Sequence, residues 1–399
     1  MVKKKYCIFL PHRLGIQRYT ALSEQCLISV KLIKVFGQTK SLTENYQMSD
    51  IRTQDYYHNQ SYCPETIPEQ KPCVRHKSFG SSSVRLPWGS TQQVASDGIM
   101  RQSPPKSMRF WENTEKEKEK EKSEGTYTPK LFEGVDLHQK YDQERFRFAQ
   151  LPFTSQFWIF LLLFGKWGFI ILFPLTAFAH AKLISVSYDS WQVVTLEALK
   201  GLYPVLTGIP LLFWLIGHIV INHCPRIWFR PPKGPLWELN RRTGLVTIFD
   251  YKRHRKEGVI DEFIAPFYEF DAYMITTRDR YSSYYGLLLR HRYEDRQINF
   301  HSLLGPDDFK HRPCALWDFL QNYMDVSRPI PDIPLFEAYR HLDPVTAKYD
   351  KENGRNPRYW IDMDDDTFKQ RVDAMWQRAY AIDTFTRPNL MELYVSYND

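Results

Sequence analysis

The chain has 399 residues, a formal net charge of +7 and six cysteines. Cys7, Cys26, Cys63, Cys73, Cys224 and Cys314 are scattered, with no C-x-x-C pair, which argues against a disulfide scaffold or a zinc ribbon and fits a reducing compartment. The charge is too mild for a dedicated nucleic-acid binder, and a mean hydropathy of −0.47 would by itself argue against a polytopic membrane protein, but an average hides segregation.

Residues 1–135 are rich in Pro and Ser and hold no persistent helical or strand period, so this region is expected to be largely disordered. Lys3, Lys4 and Lys5 before Tyr6-Cys7-Ile8-Phe9-Leu10 imitate a signal peptide, but Pro11 stops the apolar run far short of an h-region. Met48 is a plausible alternative start, and residues 1–47 are read as an upstream extension with a mis-assigned start. Residues 115–122 alternate Glu and Lys strictly. That spacing puts like charges at i,i+4, which reads as a solvated spacer. Residues 136–156 are taken as a juxtamembrane segment.

Two apolar stretches follow, 157–179 and 202–222. Each can cross about 30 Å of hydrocarbon as a helix, and Pro174, Pro204 and Pro210 are tolerated there as kinks. Lys and Arg are frequent before the first stretch (Lys140, Arg145, Arg147) and after the second (Arg226, Arg230, Lys233, Arg241, Arg242), whereas the connecting loop has Lys182 and Lys200. Both termini are therefore expected in the cytoplasm, with residues 180–201 as a periplasmic loop whose 191–199 stretch rests on the interface. Lys166 lies mid-span, where insertion costs roughly 2.5–3.5 kcal/mol. It either snorkels toward headgroups or meets the second helix or a partner, and Gly165 and Gly168 beside it permit close helix approach. His218 is expected at the interface.

Residues 231–326 turn strand-rich. Trp237-Glu238-Leu239-Asn240 and Leu245-Val246-Thr247-Ile248-Phe249 flank Arg241-Arg242-Thr243-Gly244 and predict a β-hairpin. Strands are expected over 267–276, 283–292 and 297–303. In residues 313–324, Leu316, Phe319, Leu320, Tyr323 and Met324 share one helical face behind Pro313. The expected fold is thus a membrane α-helical hairpin plus an α+β cytoplasmic domain, antiparallel β-rich, pleckstrin-homology-like and closed by a helix. Residues 327–399 form a tail in which 327–359 wraps as loop and 366–382 is a second helix.

No catalytic signature is present: there is no Walker A loop, G-x-G-x-x-G, H-E-x-x-H or G-x-S-x-G. No catalytic residue and no cofactor are assigned. Asp362, Asp364, Asp365 and Asp366 are weak metal candidates, since their place before a helix favours capping over ligation. Cys224 and Cys314 read as small apolar residues. Arg241, Arg242, Lys252, Arg253, Arg255 and Lys256, together with Lys166, are the candidate lipid or partner contacts, because basic clusters near a membrane helix attract anionic headgroups. Nucleic acid is not expected, since no aromatic stacking platform is evident.

Leu239-Asn240-Arg241-Arg242-Thr243-Gly244-Leu245-Val246, Leu316-Trp317-Asp318-Phe319-Leu320 and Asn356-Pro357-Arg358-Tyr359-Trp360 together resemble an uncharacterised family of two-pass proteobacterial inner-membrane proteins associated with type VI secretion loci. The resemblance covers roughly residues 130–399, and its motifs are structural. It implies an inner-membrane location and a partner that is a secreted toxin or a component of the secretion apparatus. The expected function is a membrane-anchored, non-catalytic interaction protein acting as an immunity or accessory factor. The alternatives are a lipid-sensing adaptor or assembly factor, and a membrane-bound metal-dependent enzyme.

Overall fold

The computed structural model describes residues 56–73, 83–89, 91–128, 135–278, 280 and 282–397; the basic start and the possible start at Met48 lie outside them. In chain order the principal elements are β1 (Ser83–Leu86), α1 (Pro105–Ser123), β2 (Lys140–Tyr141), β3 (Arg145–Phe148), α2 (Phe153–Val186), α3 (Trp191–Lys200) and α4 (Ile209–His223). Next come β4 (Trp237–Asn240), β5 (Leu245–Asp250), β6 (Asp261–Pro266), β7 (Phe270–Arg278), β8 (Ser283–His291) and β9 (Gln297–Asn299). Three helices complete the order: α5 (His311–Met324), α6 (Pro344–Glu352) and α7 (Asp365–Tyr380). Two units emerge. One takes the chain up to Phe148 and again from Leu236, and the other is Ala149–Pro235.

The first unit carries two antiparallel sheets, ordered β2-β3-β4-β5-β6 and β1-β7-β8-β9. The β4–β5 hairpin has the expected register, Trp237 opposite Ile248 and Asn240 opposite Leu245. Its turn needs glycine twice over. Gly244 has φ +71°, and a Cβ there would stand 2.2 Å from the Gln60 carbonyl oxygen. Alternation along the strands sends Leu239, Val246, Ala265, Phe270, Ala272 and Leu289 inward, as period-two patterning requires. Helix α5 is buried from Pro313 to Met324. Trp317 meets Trp88 edge to face at 4.8 Å, and Phe319 and Tyr323 both stack on Phe336.

Four expectations about the flanks are corrected. The described residues between 56 and 128 do not stay unstructured: β1 pairs with β7, and Tyr62, Trp88, Ile99 and Met100 are buried in the core. These are isolated anchors without period, so local patterning does not register them. The Glu-Lys alternation forms the second half of α1, begun by Pro105 at N1 and carried by two good helix formers. Opposite charges do meet at its ends, Glu112 with Lys116 and Lys120 with Glu124. The segment 136–156 contributes β2 and β3, because Arg145-Phe146-Arg147-Phe148 alternates and pairs with β4 from Arg145–Asn240 to Phe148–Trp237. Within 327–359, a 3-10 segment Pro334–Leu342 and α6 replace the expected loop; Asp343 caps α6 by accepting from the Thr346 N–H, with Pro344 at N1.

In the second unit, α2 runs 34 residues, about 51 Å at 1.5 Å per residue. The stretch Trp191–His223 runs 33 residues, with a π-helical turn at Pro204–Gly208 where proline withholds its N–H. Both helices therefore extend past the expected 157–179 and 202–222, and the interfacial stretch 191–199 is helix α3. The most apolar windows of the two are only 11% and 17% buried, whereas a helix of such composition in a soluble core is enclosed on most sides. Both are long and apolar enough to cross a membrane. They pack through glycine. A Cβ on Gly165 would lie 2.3 Å from the Trp214 backbone nitrogen, and one on Gly217 would lie 2.9 Å from the Leu162 backbone, so the helices touch main chain to main chain.

Candidate functional site

The basic residues singled out in the sequence divide into two kinds. Arg241 and Arg242 are neighbours in the β4–β5 turn, yet Arg241 is fully buried and Arg242 is exposed. The Arg241 guanidinium donates from Nε to Asp343 Oδ1 at 3.3 Å. Its Nη1 donates to the carbonyls of Tyr323 at 2.5 Å and Asp325 at 2.7 Å, and its Nη2 donates to that of Arg328 at 2.6 Å. Asp343 is equally buried, and it also accepts from the Tyr57 hydroxyl at 2.5 Å, the Thr346 N–H at 3.0 Å and the Thr346 hydroxyl at 2.5 Å. Burial pushes the Tyr57 hydroxyl well above its ordinary pKa, so it remains a donor.

Arg241 is thus corrected from a lipid contact to an internal lock. It fastens the hairpin turn to the carbonyls that end α5 and to the cap of α6. A guanidinium suits the post, since its five donors in a planar fork can serve several carbonyls and a carboxylate at once.

Three of the exposed basic residues carry their own counter-ions. Arg242 donates to the Tyr56 carbonyl at 2.9 Å and to Glu144 at 3.3 Å, and lies over the Tyr56 ring. Lys252 pairs with Asp250 at 3.1 Å. Arg253 pairs with Glu257 at 2.8 Å and Asp261 at 3.0 Å. Lys256 is exposed in the short helix His254–Glu257, which also holds Arg255. Arg242, Lys252 and Arg253 are thus each neutralised locally rather than gathered into one unneutralised patch. Lys166 is half-buried in α2, with its ammonium 5.4 Å from the centre of the Trp167 ring.

The acidic run separates in the same manner. Asp364 is the N-cap of α7, accepting from the Asp366 N–H at 3.0 Å and the Thr367 N–H at 2.9 Å, and these bonds from Thr367 hold its carboxyl below the usual range. Asp362 pairs with Arg358, Asp365 with Lys106, and Asp366 with Lys369. Four carboxylates with three separate cations and one cap are not an inward-facing ligand set. Among the described residues no group of three or more His, Cys, Asp or Glu is disposed to hold a metal ion. Burial pushes the Cys314 thiol up to about 11, leaving little thiolate at neutral pH.

Sequence reasoning missed the partners of Arg241, above all Asp343 and Tyr57. The Asp343-Pro344 helix start was available as a local sign of a capping aspartate, but nothing local links it to a turn 102 residues earlier. No protein-family model, curated protein or solved structure matches the chain.

Proposed function

We propose that this chain is a membrane-anchored, non-catalytic interaction protein whose sheet-bearing unit is presented on one side of a bilayer by a two-helix anchor. The observation that carries the reading is where the anchor is inserted. Strands β3 and β4 are antiparallel neighbours, with Phe148 opposite Trp237, and the whole of Ala149–Pro235, with its two long apolar helices, lies between them in sequence. One unit is therefore folded from chain that precedes the helices and chain that follows them. Such a unit cannot be split across a bilayer, which favours two crossings with both flanks on the same side. The excess of Lys and Arg on those flanks over the connecting loop favours the cytoplasm as that side.

The order β3-β4-β5-β6, then β7-β8-β9, then α5 supports a pleckstrin-homology-like arrangement, with the anchor inserted in its first hairpin. The resemblance to two-pass inner-membrane proteins of type VI secretion loci supports the bacterial inner membrane as the location. Its partner would then be a secreted toxin or a component of that apparatus, and the protein would be an immunity or accessory factor. The rival readings are weaker: the lipid-sensing surface loses Arg241 to the core, and the metal-dependent enzyme loses Asp364 to a helix cap.

An alkaline phosphatase fusion after Ser190 should be active and one after Leu245 inactive; the opposite pattern would overturn the topology. Deleting the gene and challenging cells with kin that carry the secretion system tests the immunity role, and unchanged survival would sink it.

A further inference from the structure

We infer that the juxtamembrane foot, residues 223–233, is the surface that holds anionic phospholipid headgroups, in place of the basic turns of the β-rich unit. The inference rests on the membrane-anchor reading above. Helix α4 ends at His223, and a short helix, Pro225–Trp228, turns the chain at once. That turn is built rigidly. Trp228 is buried and donates its indole N–H to the Ile221 carbonyl at 3.0 Å, while the Arg230 N–H donates to Ser155 Oγ at 3.1 Å, and Ser155 is itself buried at the start of α2.

From this pinned turn Arg226, Arg230 and Lys233 are all exposed, and Ile227 between them is 53% exposed. None of the three cations takes part in an ion pair among the described residues. The sequence has no Asp or Glu between Glu197 and Glu238, so no carboxylate close in sequence is available to neutralise them. Arg242, Lys252 and Arg253, by contrast, each hold a carboxylate of their own.

Three cations with no counter-ion among the described residues, directly after the last apolar turn of a spanning helix, lie at the depth of the headgroup phosphates. The apolar Ile227 suits the acyl boundary beside them. Charge complementarity therefore selects an anionic phospholipid over a zwitterionic one.

The test uses the full chain reconstituted in mixed phosphatidylcholine and phosphatidylglycerol, extracted gently, with co-purified lipid measured by mass spectrometry. The wild-type chain should retain phosphatidylglycerol in preference, by roughly five-fold for each cation that holds a headgroup, and less so at high salt. The triple variant Arg226→Gln, Arg230→Gln, Lys233→Gln should lose most of that preference, whereas Lys252→Gln, Arg253→Gln, Lys256→Gln should keep it. Equal preference in the foot variant and the wild type would overturn the inference. Carbonate extraction separates the two levels: a wild-type chain washed from membranes would defeat the anchor reading itself. A foot variant that resists carbonate but retains wild-type lipid preference would defeat only the lipid assignment.

Discussion

Replacing Arg241 by methionine keeps most of the side-chain volume and removes the guanidinium, which makes it the most direct test of the internal lock. Arg241 and Asp343 are both fully buried, so the variant strands a carboxylate in the interior. Breaking a buried pair from one side costs about 3–5 kcal/mol. The carbonyls of Tyr323, Asp325 and Arg328 lose their donor as well, while Asp343 keeps Tyr57 and Thr346 as partners, which holds the total near the middle of that range. Against a total stability of about 5–15 kcal/mol for a domain, this loss should lower the urea midpoint of the full chain in detergent sharply, read by tryptophan fluorescence. Arg242→Met, one residue away and exposed, should cost less than about 1 kcal/mol. Adding Asp343→Asn to Arg241→Met should recover part of the loss, since the stranded charge is gone, and the cycle should return a coupling of at least about 1 kcal/mol. An Arg241→Met chain as stable as the wild type, with impaired binding to anionic vesicles, would refute the lock and restore the lipid role.

Two further outcomes follow from the geometry. Gly165→Leu places a side chain against the main chain at Pro210, Phe213 and Trp214. The helices must then part, and in a chain with its native cysteines replaced by alanine, a short thiol crosslinker should join Phe169→Cys to Trp214→Cys in much lower yield; an unchanged yield would contradict the close packing. Glu112 accepts two bonds from Arg358 at 3.0 Å each, and these, with Lys116, hold its carboxyl down to about 2. A lowered carboxylate contributes stability that is present above its ordinary value of 4.5 and is lost as pH falls from there through about 2. The stability difference between wild type and Glu112→Gln should shrink over that window and be screened by salt, at a size of about 0.2–1 kcal/mol for so exposed a pair; a difference independent of pH would remove the ion pair from the account.

What the sequence determined by itself is whatever rests on neighbours along the chain. The presence of two long apolar helices follows from runs of apolar residues, although both helices extend past those runs, the β4–β5 hairpin follows from alternation around a glycine turn, and α5 and α7 follow from a 3.6-residue period and, for α7, an aspartate cap. Each needs only contacts within a few residues. Tertiary structure decided the rest. Arg241 and Arg242 are adjacent and chemically identical, and only the arrival of Asp343, 102 residues on, makes one a buried lock and leaves the other on the surface. Arg145-Phe146-Arg147-Phe148 is too short to declare itself a strand until β4, about 90 residues away, supplies the hydrogen bonds. Tyr62 and Trp88 stand in a polar stretch with no period, yet each fills a place in the core beside Phe267. Pairings at such separation leave no trace in local periodicity, because the physical demand they satisfy, a partner for each buried polar group and a filled interior, exists only once the chain has closed on itself.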